Sequence, residues 1–182
     1  MRIALFGGSF DPPHVGHVYA AMHARLHADV DAVWVLPVAH HPYGKALSPF
    51  AQRLQLAQAA FADLPFVSVR EDECDNPHGH TITLLELLQQ RYPQHHWLLI
   101  GGSDTANDLS NWHRGEALLQ MLEIHPVPRR GWDDTHPGAL PAISSTMVRE
   151  LLRSAQAIDH LVPRAVDQLI QTHHWYRDPP SP

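Results

Sequence analysis

Cysteine is almost missing from this chain. Cys74 stands alone among 182 residues. No internal disulfide can form, and a reducing compartment is the natural expectation. Long hydrophobic runs are also missing. The opening Met-Arg-Ile-Ala-Leu-Phe breaks at Gly7-Gly8, which is too short for a secretion signal, and nothing approaches the ~18 apolar residues of a membrane span. Charge is scarce and tilts acidic: 18% of residues are charged, with 13 Lys+Arg against 19 Asp+Glu, a formal net charge of -6. A general nucleic-acid binder needs a basic face to displace counterions, so the balance argues against that class. A single cationic pocket remains compatible with the balance. These absences predict a cytoplasmic protein with no membrane or nucleic-acid partner. Oligomeric state has no signature here.

Histidine and proline are plentiful, sixteen of each, and 44% of residues are hydrophobic. The apolar pattern alternates short β-rich runs with longer helical ones. Strands are expected at 3–6, 32–36, 66–69, 97–100 and 124–127. Helices are expected from Val18 to Leu26, Pro49 to Ala62, Thr81 to Arg91 and Glu116 to Leu122. Two more follow a turn-rich stretch at 131–141: one carries Val148, Leu151, Leu152 and Ala155, the other starts at Pro163. Strands alternating with helices imply an α/β fold: a Rossmann-like, doubly wound parallel sheet with helices on both faces and a small C-terminal helical segment. The expected organisation is a core at 1–142, C-terminal helices at 143–176 and a tail at 177–182, acting as one functional domain.

In such sheets ligands bind beyond the carboxyl ends of the strands. Gly7-Gly8-Ser9-Phe10-Asp11-Pro12-Pro13-His14-Val15-Gly16-His17 lies there, after the first strand and at the opening of the first helix. Glycines let backbone approach a phosphate, and a helix start supplies unpaired N–H groups. His14 and His17, three apart, share one face and can both donate to a phosphate chain. The alternative is a plain turn with two solvated histidines; the coincidence of glycines, position and spacing favours phosphate. The segment is neither G-x-G-x-x-G nor a Walker A loop, which argues against a dinucleotide oxidoreductase and a P-loop ATPase. Ile143-Ser144-Ser145-Thr146-Met147-Val148-Arg149 opens a later helix. Its hydroxyls either cap the helix or hold an anion, with Arg149 one turn beyond Thr146. The doublets His40-His41 and His95-His96 invite a zinc reading, but no matching Cys or carboxylate set accompanies them, and no protein metal site is expected.

Taken together, these segments resemble the nucleotidylyltransferase superfamily and, within it, the bacterial nicotinate-nucleotide adenylyltransferases. Gly102-Ser-Asp104 with Trp112, His80-Thr81-Ile82 before a leucine-rich helix, and Leu161-Val162-Pro163 with Trp175-Tyr176 extend the resemblance over residues 2–176. It implies transfer of the adenylyl group of ATP to nicotinate mononucleotide, with pyrophosphate leaving. The acceptor phosphate, already anionic near neutral pH, would attack the α-phosphorus in line. Mg²⁺ would arrive bound to the ATP phosphates.

The resemblance implies a catalytic role for His14, His17, Lys45 and Arg149. ATP would be held by Gly7, Gly8, Ser9, Phe10, His14, His17, Gly102, Asp104, Ser145, Thr146 and Arg149. The acceptor would be held by Ser9, Phe10, Lys45, Thr81, Trp112 and Arg129. Blander roles stay open for four of these: a solvated loop lysine for Lys45, a helix cap for Asp104, a core tryptophan for Trp112 and a structural arginine for Arg129. The pattern is broken by His80 where the family has Tyr, by Thr83 where Asp is common, by Arg130, and by a short interval between Gly131 and Ile143. These departures bear on the acceptor. Rival readings are a phosphopantetheine adenylyltransferase, a cytidylyl transferase, an aminoacyl-tRNA synthetase fragment, and a non-catalytic nucleotide-binding module.

Overall fold

The computed structural model describes residues 1–102, 105, 108–128, 139 and 142–177. Five parallel strands form one sheet: β1 (Arg2–Gly8), β2 (Ala32–Pro37), β3 (Val67–Val69), β4 (His96–Gly102) and β5 (Glu123–Val127), in the order β3-β2-β1-β4-β5. The order reverses between β1 and β4, and this is the position where doubly wound sheets open a crevice for ligands. Six helices have both ends among the described residues: α1 (Val15–His27), α2 (Phe50–Phe61), α3 (Thr81–Arg91), α4 (Gly115–Met121), α5 (Ser145–Arg153) and α6 (Arg164–His173).

Strand side chains alternate strictly between the two faces. Ala4, Phe6, Val33, Val35, Leu98 and Ile100 join one core cluster, with residues of α1, α2, α5 and α6. Ile3, Leu5, Trp34, Leu36, Trp97 and Leu99 join the other, with α3 and α4. Both faces are therefore buried, which is why the strands read as unbroken apolar runs.

Two differences from the sequence reading matter. Both strands run through their glycine pairs instead of ending before them. Gly7 pairs with Leu36 and Gly8 with Pro37, and Gly101 and Gly102 pair with Pro126 and Val127. The pairs are the last rungs of the ladder, so glycine backbone itself forms the carboxyl edge of the sheet. The helix expected through Ala155 stops at Arg153; Ala155 takes a left-handed φ of 52° and is exposed. No helix among the described residues is long and apolar enough to cross a membrane.

Candidate active site

The site begins where β1 ends. Phe10 adopts a left-handed φ of 47°, unusual for a bulky residue. Its ring is 1% exposed and packs edge-on against Phe6 and Phe61, with His17 beside it. That packing offsets the backbone strain and sets the course of the loop. With its ring in the core, Phe10 has only backbone to offer a ligand.

Asp11 is the hub of the turn that follows. It is 3% exposed; Tyr176 donates its hydroxyl to Oδ1 at 2.8 Å and the Ser48 amide donates to Oδ2 at 3.1 Å. Burial, then the neighbouring Asp11, push the Tyr176 hydroxyl well above the usual phenol range, so it stays a donor. Arg53, 1% exposed, ties the surrounding loops together: it donates to the carbonyls of Ser48, Ser9 and Val38 at 2.8, 2.9 and 2.8 Å.

His14 caps α1 and His17 sits at its third helical position. Their ring centroids lie 3.8 Å apart. The His14 backbone N–H donates to Nδ1 of His17 at 3.1 Å. Because Nδ1 accepts, the neutral His17 ring carries its proton on Nε2, where it is a donor.

The later helix start reaches the same loop. Ser144 caps α5 by accepting from the Met147 amide. Ser145 Oγ donates to the Pro12 carbonyl at 2.8 Å, and Arg149 donates to the Asp11 carbonyl at 2.5 Å and to Thr146 Oγ1 at 3.3 Å. Two segments separated by more than 130 residues thus form one cationic, donor-rich corner. Arg149 has five N–H groups, so further donors remain for a ligand.

Beside this corner a cleft of about 280 Å³ opens along the carboxyl edge of the sheet. Its floor includes Gly7, Gly8, Ser9, Gly101 and Gly102; Thr81, Trp112, His80 and His113 form one wall, and His41, Pro42 and Tyr43 another. The two walls meet at Gly79, whose φ is 65°. A Cβ there would sit 1.9 Å from the His40 carbonyl, so only glycine permits the contact. Glu73, 3% exposed, also lines the cleft and accepts from Asn76 Nδ2 at 2.8 Å. Burial, offset in part by that bond, pushes its carboxyl up to about 7.

The structure therefore brings Gly7, Gly8, Ser9, Gly102, Thr81 and Trp112 to one cleft, and His14, His17, Ser145, Thr146 and Arg149 to the corner next to it. Trp112 is half-buried: it packs on the core under α3 and α4 and also lines the cleft. Lys45 is exposed and lies in a shallow hollow with His40, Leu47 and Phe50, outside the cleft. Asp104, Arg129, Arg130 and Gly131 lie outside the described residues.

The sequence reading assigned no role to Asp11, Arg53, Glu73, His113 or Tyr176. Arg53 had a legible signal: it recurs with Leu56, Ala57 and Ala60 at helical spacing, on a face otherwise fully apolar. Glu73 had none, since its burial depends on how a turn packs.

The cytidylyltransferase-like family model matches residues 5–151, which contain the cleft and all of the corner. The probable nicotinate-nucleotide adenylyltransferase of Myxococcus xanthus is 35% identical over 185 residues, covering 97% of this chain and 95% of its own length. The corresponding protein of Anaeromyxobacter sp. (strain K) is 38% identical over 182 residues, covering 97% of each. Among solved structures, the Plasmodium falciparum nicotinic acid mononucleotide adenylyltransferase complexed with NaAD shares the fold. Its TM-score is 0.78 at 19% identity, covering 96% of this chain and 97% of that one. On its motifs, its fold and these full-length relatives, the chain belongs to the cytidylyltransferase-like family, among the nicotinate-nucleotide adenylyltransferases.

Proposed function

We propose that the cleft and the cationic corner are the two halves of one adenylyl-transfer site, which converts ATP and nicotinate mononucleotide to nicotinate adenine dinucleotide and pyrophosphate. The observation that carries this reading is the docking of the α5 start onto the β1–α1 loop through Ser145 and Arg149. That docking sets the hydroxyl and guanidinium donors of α5 against the loop that carries the His14–His17 pair.

The acceptor's phosphate monoester is already an anion near neutral pH, so it needs no strong base. It attacks the α-phosphorus of ATP, the new P–O bond forms, the α–β bridge bond breaks, and pyrophosphate leaves with the electron pair. What the protein supplies is alignment and charge compensation. His17, donating from Nε2, and His14 stabilise charge on the transferring and leaving groups. The Gly7–Ser9 backbone, with Gly102 at the neighbouring strand end, cradles the nucleotide phosphates; Asp104 binds the adenosine side. Ser145, Thr146 and Arg149 hold the β- and γ-phosphates. Thr81 and Trp112 bind the pyridine nucleotide, Trp112 by stacking. Lys45, on its exposed loop, and Arg129 are assigned to the acceptor phosphate.

Mg²⁺ suits this corner only as a companion of the nucleotide. The donors there are imidazole, guanidinium and hydroxyl groups, and among the described residues no group of three or more His, Cys, Asp or Glu has a metal-holding arrangement. Bound through the triphosphate, Mg²⁺ would add charge neutralisation. Residues 1–142 supply the cleft and 143–176 complete the ATP side, in a cytoplasmic protein that binds small molecules and no nucleic acid.

The test is pyrophosphate release with ATP and Mg²⁺ plus nicotinate mononucleotide, nicotinamide mononucleotide or phosphopantetheine. Release with a pyridine mononucleotide is expected. Release with phosphopantetheine alone reassigns the acceptor, and release with none makes the protein a nucleotide-binding module.

A further inference from the structure

Among the described residues, the cleft is lined by three histidines and one carboxyl group, and by no lysine or arginine. A pyridine carboxylate brings negative charge against a lining whose described residues hold no permanent cation. Two of the histidines are in face contact. His80 caps α3 immediately before Thr81, and His113 follows Trp112. Their ring centroids are 4.2 Å apart and their planes 17° from parallel.

That geometry limits the pair to one proton. Two imidazolium rings at this distance repel each other, whereas one imidazolium over a neutral ring is a favourable cation–π contact. The other charged and titratable neighbours among the described residues are few. His78 lies 6.2 Å from His80. Glu73 is joined to the His80 backbone through Asn76, whose Nδ2 donates to both. Arg114 is paired with Glu86 at 2.9 Å. His41 and Tyr43 line the same cleft. Burial first, then the His113 and His78 rings, hold the His80 imidazole below the ordinary histidine range. The His80 ring is therefore neutral near physiological pH. A carboxylate placed against it reverses that balance, and a neutral amide does not.

We propose that the stacked His80–His113 pair reads the charge of the acceptor, taking up one proton as a pyridine carboxylate binds and none as the corresponding amide binds. The inference rests on the adenylyl-transfer reading and assigns to that site a specificity element that depends on pH. Tyrosine at position 80 could not play this part, because a phenol binds no proton near neutrality.

The experiment measures KM for nicotinate and nicotinamide mononucleotide from pH 6 to pH 8.5, with saturating ATP. Both acceptors carry the same phosphate monoester, so its ionisation cancels in the ratio of the two KM values. The ratio of carboxylate KM to amide KM should rise with pH, approaching about tenfold per pH unit, the limit for one proton. Calorimetric titration in buffers of different ionisation enthalpy should show uptake of up to one proton with the carboxylate acceptor and none with the amide. His80→Gln and His113→Gln should flatten the ratio, and Glu73→Gln should leave its slope in place.

A ratio independent of pH in the wild-type protein overturns the proposal while leaving adenylyl transfer intact. So does a slope that survives both histidine substitutions, or one lost only in Glu73→Gln. No pyrophosphate from either pyridine acceptor at any pH would instead overturn the adenylyl-transfer reading itself.

Discussion

At the scale of single residues, the site depends on atoms whose state is dictated by their partners. His17 accepts the His14 amide on Nδ1, and this orients Nε2–H as a donor. If that donor meets charge that grows in the transition state, His17→Ala should lower kcat by about 10²–10³-fold. Steady-state pyrophosphate release measures it; an unchanged kcat would remove His17 from the chemistry. Glu73 offers a second test, of stability. Its carboxyl is pushed from 4.5 up to about 7 in the folded protein, mainly by burial. The folded chain therefore holds a proton that the unfolded chain releases, and the stability contributed by Glu73 is full below pH 4.5 and is lost as pH rises through 7. The loss by pH 8 is on the order of 3 kcal/mol. Glu73→Gln keeps an acceptor for Asn76 and removes the titration. Urea denaturation should find it more stable than wild type at pH 8 and little different at pH 4.5.

Elements act here through their ends. The start of α5 combines an ordinary cap with a tertiary tie, and the two can be separated. Ser144 accepts from the Met147 amide, so Ser144→Ala should cost about 1 kcal/mol of stability and leave kcat nearly unchanged. Ser145 instead donates to the Pro12 carbonyl across the site. Ser145→Ala should raise the KM for ATP with a smaller effect on stability. Thermal melts and ATP titrations of the two variants should therefore rank them in opposite orders. The C-terminal end works in the same way. Trp175 and Tyr176 pack against the core that α1 and α2 share, and the Tyr176 hydroxyl reaches Asp11, so the chain's last described turn braces its first loop.

At the scale of the whole molecule, the sheet brings together residues that are far apart in sequence. β1 and β4 are neighbours although more than 80 residues separate them, and their glycine ends meet on one edge. Ligands that bind across such an edge stabilise the native state by mass action. At about 100 times its Kd, each should add about 2.7 kcal/mol, which raises Tm by roughly 5–11 °C in a domain of this size. Differential scanning fluorimetry with ATP, with each pyridine mononucleotide, and with both checks this. Absence of any shift with ATP would argue against the corner as its site.

The sequence by itself determined the strand and helix order, because continuous apolar runs and helical spacing are local patterns. It also marked the β1–α1 loop as the candidate phosphate site, since a glycine pair followed by His-x-Gly-His carries its chemistry in nearby residues. Only the tertiary structure decided how those pieces meet. Burial of Asp11 and Arg53, the docking of Ser145 and Arg149 on Pro12 and Asp11, and the stacking of His80 on His113 all join residues from separate elements. No local pattern encodes such contacts, because each depends on how separate helices and loops settle against the same edge of the sheet.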